Sequence, residues 1–540
     1  MEELVFDLTN NAWINNGFCR LANFIENNFG DKIIVNIFSS SIVFKAEEDI
    51  SKYIISSMKY FAMDGTYNIS QAFKIINKDS DIKYKFPDFP KEGQFKKTRK
   101  ISDNEKEILK DYKITGNEQQ IWKMRLSYFG SSKSNYYLNY GLNFESSDLF
   151  SNLINNNVGK NNCINCGNFF SKGMESKQSL NPLLNEHHNN EIDGFSNNLR
   201  KKVKLCPICY LGATVSLFDK YLPFYNTSNT TTIFLPNVFD FKLLFKIINN
   251  LSLPGQFIDF NLPSTIKYST NVKFLENNNC ISLALLTVLH NIQNNYSKDE
   301  VNDLFQVLNN DELMQIVDWI YIIKDSFKIH RIKADSNIYK ILKPQKDKNN
   351  NEVFLVTDVF NKILIKNIVE NELEDFYNSF LVLNQEKIAK NLFRLSKIKI
   401  SDIIVSDKGY SLYLFKEIFL NIIMDVINMI EEDLKVACKN IAKEMGKSFY
   451  NDVGMLTKFA YATDEGIFKN VIEEASFLMA KKSALSNKNF YLYSNDLEIL
   501  LDNLNGDNFN EIKNYFVSFM SANAIYNNYN QNNKNKTEDE

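Results

Sequence analysis

The sequence predicts an α+β multidomain protein, with a mixed α/β amino-terminal region, a polar insertion bracketed by cysteines and a carboxyl-terminal helical bundle. Three observations carry that expectation. Strand and helix periods alternate up to Phe61, two identical Cys-x-x-Cys spacings enclose a stretch rich in Asn, Ser, Gly and Lys, and apolar residues after Leu412 recur at helical spacing. A chain of 540 residues has room for about three or four domains. Its 44% hydrophobic and 24% charged residues are ordinary globular usage, which sets aside a wholly disordered or fibrous chain.

Leu4 to Leu8 reads as a short strand and Trp13 to Phe29 as a helix, while Ile33 to Phe38 and Ile42 to Phe44 form a hairpin across a serine turn. Asp49 to Phe61 returns to a helix period, with Ile54, Ile55, Met58 and Phe61 on one face. From Lys74 to Lys100 the periodicity fades, Pro87 and Pro90 appear, and nine basic residues face four acidic ones, so this is a basic loop. Residues 155–205 read as a mobile insertion. Beyond Cys209, helices are expected at Leu211–Tyr221, 238–250, 281–294 and 299–324, with strand-like runs at Thr231–Leu235 and Phe327–Ile332. Leu412 to Lys447 reads as one long helix, followed by helices near 455–484, 495–504 and 507–525. Asn527 to Glu540 keeps only Tyr529 as an apolar residue and is expected to fray. The expected divisions are therefore 1–155 (mixed α/β), 156–215 (cysteine insertion), 216–410 (α+β), 411–526 (helical bundle, large enough for its own core) and 527–540 (disordered tail).

Sixty-two Lys and Arg against 65 Asp and Glu leave a net charge of −3, so total charge does not announce a nucleic-acid binder. The distribution is more informative. Residues 1–416 hold 50 basic and 46 acidic side chains and residues 417–540 hold 12 and 19, so a polyanion would favour the first part. The 75 asparagines accompany many Ile, Lys, Phe and Tyr, a pattern that AT-rich codons explain without function. The longest apolar run, Ile281 to Leu289, is about half of the roughly 20 residues a membrane span needs, so no membrane partner is expected. Met1-Glu2-Glu3-Leu4 has neither a basic region nor a long apolar one, so a cytoplasmic location is expected.

Four of the seven cysteines form the two knuckles, Cys163-Ile164-Asn165-Cys166 and Cys206-Pro207-Ile208-Cys209. A two-residue gap lets both thiolates of a knuckle reach one ion while nearby backbone N–H groups point at sulfur, and two knuckles complete a tetrahedron around zinc. Gly167, directly after the first pair, suits the open backbone such a turn requires. The expected cofactor is thus one structural Zn2+ on Cys163, Cys166, Cys206 and Cys209, in a zinc-ribbon insertion. Four thiolates leave no position for an activated water. His187 and His188 lie in the polar loop between the knuckles and read as solvated, while Cys19, Cys280 and Cys438 read as core thiols. Phosphate-binding, dinucleotide, serine-hydrolase and zinc-protease motifs are missing, and no carboxylate pair stands out, so no catalytic residue is assigned and an enzyme is not expected.

The two knuckles, their long spacer and the segment Asn11-Ala12-Trp13-Ile14-Asn15-Asn16-Gly17-Phe18 together resemble the CXXC-CXXC family of CRISPR-associated proteins. That family supplies the large subunit of type I Cascade, chiefly subtype I-B. The resemblance implies a non-catalytic subunit that contacts the crRNA 5′ handle, recognises the PAM in target double-stranded DNA and holds the displaced strand. Its implied partners are the Cascade backbone and small subunits, with a nuclease-helicase recruited on target binding. The basic zones suit that role, since Lys and Arg neutralise phosphates while the guide supplies sequence. The expected nucleic-acid contacts are Lys96, Lys97, Arg99 and Lys100 in the first zone, Lys328, Arg331 and Lys333 in the second, and Arg394 and Lys397 in the third. The alternative from the residues alone is a self-sufficient zinc-containing nucleic-acid-processing enzyme such as a nuclease.

Overall fold

The computed structural model describes residues 2–54, 56–57, 159–170, 174–175, 183, 204–218, 224–226, 231–251, 259–261, 265–267, 280–298, 318–323, 328–335, 337–366, 368, 370–428, 430–486 and 492–538. The chain forms two compact units, Met1–Thr270 with Leu308–Ile332, and Asn271–Val307 with Lys333–Glu540. It mixes helix and strand, with a helical carboxyl-terminal region.

The first unit opens on a split β-α-β arrangement: β1 (Glu2–Asp7), α1 (Ala12–Phe29), β2 (Ile33–Ile37) and β3 (Ser41–Ala46), with β3 between the other two strands and antiparallel to both. Alternation decides the faces. Leu4, Phe6, Ile42 and Phe44 are buried, with the Phe6 ring 4.6 Å from Phe18 of α1, whereas Val5 and Ile34 are exposed. The entry to α1 is held by side chains: Asn11 Oδ1 accepts from Ile14 N at 3.2 Å, and Asn15 Oδ1 accepts from Thr9 N and Oγ1 at 3.0 and 2.7 Å.

Short antiparallel pairs follow, β4 (Asn161–Asn162) with β5 (Phe169–Phe170) and β6 (Met174–Glu175) with β7 (Lys204–Leu205), leading into α2 (Pro207–Phe218). A second sheet has the order β13-β12-β9-β8, from β8 (Phe224–Asn226), β9 (Thr231–Pro236), β12 (Asp318–Ile323) and β13 (Lys328–Lys333). Between its strands in the chain lie α3 (Phe241–Leu251) and the hairpin of β10 (Asp259–Asn261) with β11 (Thr265–Lys267). The helix expected over 299–324 is corrected here. Residues 318–323 are a strand because Trp319, Ile320, Tyr321, Ile322 and Ile323 are β-branched or aromatic and find Thr232–Pro236 as an antiparallel partner.

The second unit begins with α4 (Ile281–Lys298), whose first N–H groups are satisfied by a distant carboxylate: Glu374 accepts from Ile281 N at 2.7 Å and Ser282 N at 2.9 Å. Next come α5 (Ile338–Leu342), the hairpin of β14 (Gln345–Lys346) and β15 (Glu352–Val353), and a π-helical turn Leu355–Val359. The pair β16 (Ile363–Ile365) and β17 (Ile403–Val405) flanks α6 (Glu370–Leu381) and α7 (Gln385–Ser396) in the chain. The helical region comprises α8 (Tyr410–Leu414), a π-helical turn Phe415–Phe419, α9 (Leu420–Ile427), α10 (Glu432–Ser448), α11 (Val453–Ala460), α12 (Glu465–Ser486), α13 (Ser494–Asn503) and α14 (Phe509–Glu538). No helix among the described residues is long and apolar enough to cross a membrane.

Four further expectations differ from this structure. The single helix over Leu412–Lys447 is broken at Asn428, whose backbone is extended and whose side-chain amide and N–H both donate to Met424 O. Asp464, accepting from Ile467 N at 2.8 Å, likewise starts a new helix inside the expected 455–484 segment. The segment from 527 does not fray: α14 continues to Glu538, Tyr529 is buried, and Asn532 Nδ2 donates to Asn528 O at 2.8 Å. Nor does the division at 410/411 separate two cores. Phe415 packs against Phe360 and Phe380 at 6.1 and 5.9 Å, in one aromatic core that also holds Phe376 and Tyr377.

Candidate metal centre

The first knuckle is the loop of the β4–β5 hairpin. Gly167 N donates to Cys163 O and Cys163 N donates to Asn168 O, both at 2.9 Å, and Gly167 adopts φ +76°, the left-handed region. The second knuckle joins β7 to α2, with Pro207 opening the helix where its missing N–H costs nothing. The chain between the knuckles, Gly167 to Leu205, thereby closes a loop whose ends meet at sulfur.

All four sulfur atoms lie within 4.8 Å of one another. Cys166 Sγ and Cys206 Sγ are 3.7 Å apart, against the ~3.8 Å edge of a tetrahedron with ~2.3 Å metal–sulfur bonds. Cys206 N points at Cys163 Sγ and Cys209 N at Cys206 Sγ, each at 3.4 Å. Asn165 Nδ2 donates to Cys209 Sγ at 3.4 Å, a contact from between the first two cysteines to the last. Cys163, Cys206 and Cys209 are buried and Cys166 half-buried.

The electrostatics call for a cation. Hydrogen bonds from Cys166, Cys206 and Cys209 push the Cys163 thiol far below the usual thiol range, while hydrogen bonding to Cys163 and then Cys166 drives Cys206 and Cys209 upward. Cys166 is held below the usual range as well, so two thiols are lowered and two raised, and a positive ion is what lets all four sulfurs be thiolates together. The donor set and spacing fit a thiophilic divalent ion.

The centre is tied to the amino-terminal sheet through α1 and α2. These helices cross with Gly17 against Gly212: a Cβ on Gly17 would stand 1.8 Å from Gly212 O, and one on Gly212 would stand 2.6 Å from the Phe18 ring. Backbone contact this close lets Trp13 Nε1 donate to Ala213 O at 3.1 Å and Asn16 Nδ2 to Ser216 Oγ at 3.2 Å, while Ser216 Oγ donates to Trp13 O. Arg20, buried on the same helix, donates to Ile248 O of α3 at 3.0 Å.

The remaining expected site residues are dispersed. Lys96, Lys97, Arg99 and Lys100, with His187 and His188, lie outside the described residues. Lys328, Arg331 and Lys333 belong to β13, the outer strand of its sheet among the described residues; Arg331 and Lys333 are exposed. Beside them His330 stacks on Tyr321 of β12 at 4.8 Å. Arg394 and Lys397, at the end of α7, are exposed and line a cleft with Glu372 and Asn391, and Lys397 Nζ lies 3.8 Å from the centre of the Phe393 ring. Cys19, Cys280 and Cys438 are buried with thiols held above the usual range by desolvation, as core thiols should be.

Two functional features escape the sequence. Asn165 is one of 75 asparagines and only its place inside a knuckle marks it. The Gly17–Gly212 crossing joins glycines far apart in the chain, and the signal would have been Gly17 in the middle of an apolar helix. Comparison with protein-family models and with curated proteins gives no match.

Proposed function

We propose that this chain is the non-catalytic large subunit of a type I, subtype I-B Cascade, an RNA-guided DNA surveillance complex of antiviral defence, carrying one structural zinc. The observation that carries the proposal is the packing of α1 on α2. It joins the two segments on which the family resemblance rests, since Asn11–Phe18 enters α1 and the second knuckle opens α2. Zinc is supported by the chemistry of four soft thiolates and by the 3.7 Å sulfur–sulfur separation. With four sulfurs bound, zinc has no open position for a water, so its contribution is to folding: it fastens the insertion to α2, the helix that packs against α1.

In this reading the basic zones contact the backbones of target DNA or crRNA, through Lys96, Lys97, Arg99, Lys100, Lys328, Arg331, Lys333, Arg394 and Lys397. The crRNA supplies sequence by pairing, backbone and small subunits cover other surfaces, and a separate nuclease-helicase cleaves. The exposure of Arg331, Lys333, Arg394 and Lys397 supports their availability to phosphate.

The test is purification of the tagged chain from its native cell at endogenous level. Co-purifying RNA of uniform length with a constant 5′ end, together with the other Cascade subunits, is the expected result. A chain that purifies alone, or that cleaves nucleic acid by itself with added metal, would overturn the proposal.

A further inference from the structure

We propose that the second unit holds a binding site for an unpaired nucleic-acid strand, built from Lys348, Lys416 and Lys443 around Glu417 with Tyr410 at its rim. The proposal deepens the nucleic-acid reading above and rests on it for the class of ligand. Of these, Lys348 ends the second basic zone of the sequence, Lys324 to Lys348, whereas Lys416 and Lys443 lie outside the zones expected to contact phosphate.

Lys416 lies on the π-helical turn Phe415–Phe419, where Leu420 N donates to Phe415 O five residues back. Such single π turns are frequent at functional sites. Lys416 is only 8% exposed, an expensive position for an ammonium. Its Nζ pairs with Glu417 and stands 4.5 Å from the centre of the Tyr526 ring and 5.5 Å from that of Tyr413. Lys443 Nζ is 3.0 Å from the other oxygen of the same carboxylate. Lys348, from the loop of the β14–β15 hairpin, stands 5.0 Å from the Tyr413 ring centre. Two ammoniums thus share one carboxylate and a third lies against the same ring.

With the Glu417 and Asp347 carboxylates both counted, the three ammoniums keep an excess of one positive charge. Asp347 is engaged by Tyr410 Oη at 2.8 Å and by the N–H groups of Asn349 and Asn351. Lys439 faces Asp425 and Glu432 as well as Glu417. Burial raises the Glu417 carboxyl, but ion pairing with Lys416 and Lys443 outweighs it and holds the group at about 2, so it is ionised and already shared. Burial, and then repulsion from Lys443 and Lys348, pulls Lys416 below the usual lysine range, a repulsion that a phosphate would relieve.

Two features favour an unpaired strand over a duplex. The innermost cation is recessed, and the phosphates of a rigid duplex do not enter a recess as those of a flexible strand do. Tyr410 is 42% exposed and lies nearly parallel to Tyr413, at 18°, offering a face on which a base stacks.

The experiment titrates the full chain against fluorescein-labelled 20-mers of oligo(dT) and oligo(U) by anisotropy over a range of salt concentrations. In the double variant Lys348→Gln/Lys443→Gln, the slope of log K against log salt should fall by about 1.4, at ~0.7 per phosphate contact on a single strand, and binding at 0.1 M salt should weaken about tenfold or more. Tyr410→Ala should weaken it about tenfold through lost stacking. Glu417→Gln, which removes the shared carboxylate, should tighten it. Lys447→Gln and Lys458→Gln, whose ammoniums already have Glu444 and Glu474, should change nothing. If the double variant melts early, Lys348→Gln alone, on an exposed hairpin loop, carries the test. Unchanged affinity and slope in the lysine variants, or equal binding of a 20-base-pair duplex, would overturn the site. Lysine-dependent binding by a chain that never associates with crRNA or Cascade subunits would leave the site standing and remove the family reading. Normal assembly with lysine-independent binding would do the reverse.

Discussion

Alanine at Gly17 should destabilise the first unit, although Ala for Gly in a helix interior ordinarily gains about 1 kcal/mol. The new Cβ would stand 1.8 Å from Gly212 O, 2.7 Å from Gly212 C and 3.0 Å from Ser216 Oγ. An ordinary carbon–oxygen contact is about 3.4 Å, so α1 and α2 must part by roughly 1.5 Å, because a backbone carbonyl cannot turn aside as a side chain does. Overpacking of this kind costs about 1–3 kcal/mol. Parting the helices also stretches the Trp13–Ala213 and Ser216–Trp13 hydrogen bonds, each contributing about 1 kcal/mol. The sum, less the helix gain, is about 2–4 kcal/mol. Urea unfolding followed by tryptophan fluorescence reports on this unit, since Trp13 and Trp319 are both buried in it. Because α2 carries Cys209, metal retention against a chelator should fall in parallel. Gly167→Ala is the comparison: its Cβ meets nothing within 4 Å, and only the φ of +76° costs about 1 kcal/mol. A Gly17→Ala protein as stable as the parent, or more stable than Gly167→Ala, would refute the helix-crossing argument.

Elemental analysis of protein purified without added metal should find one zinc per chain, and Cys206→Ser/Cys209→Ser should lose both the zinc and stability; full zinc in that variant would refute the four-sulfur assignment. Replacing Lys96, Lys97, Arg99 and Lys100 together with Ala should lower the salt slope of duplex binding by about 3–4, at ~0.9 per phosphate, and an unchanged slope would make the segment an ordinary soluble loop. Burial holds the His290 imidazole at about 4, partly opposed by Asp358, against ~6.5 in an unfolded chain. Its contribution is complete above pH 6.5 and is lost as the pH falls toward 4, about 3 kcal/mol in all, because only the unfolded chain takes up the proton. The urea midpoint by circular dichroism should therefore fall less steeply with pH in His290→Gln than in the parent; equal slopes would refute this.

The sequence by itself determined whatever depends on neighbours in the chain. The period-two runs of β1 to β3, the helical spacing of α1, the knuckle geometry with Gly167 in a left-handed turn, and the helical character after residue 410 all follow from local sterics and local burial. Where the alternatives were nearly equal locally, only the tertiary structure decided. Asp318–Ile323 is a strand because β9 stands ready to pair with it, and α14 persists past Tyr526 because Tyr529 finds a place to be buried. The boundary at 410 vanishes because Phe360 and Phe415, each apolar in its own segment, complete one core. The same holds for the sites. Two Cys-x-x-Cys pairs announce their ligand chemistry by spacing, since each knuckle is built within four residues. Gly17 against Gly212, and Lys348, Lys416 and Lys443 around one carboxylate, have no such signature: their chemistry arises from long-range contacts that only the folded chain makes.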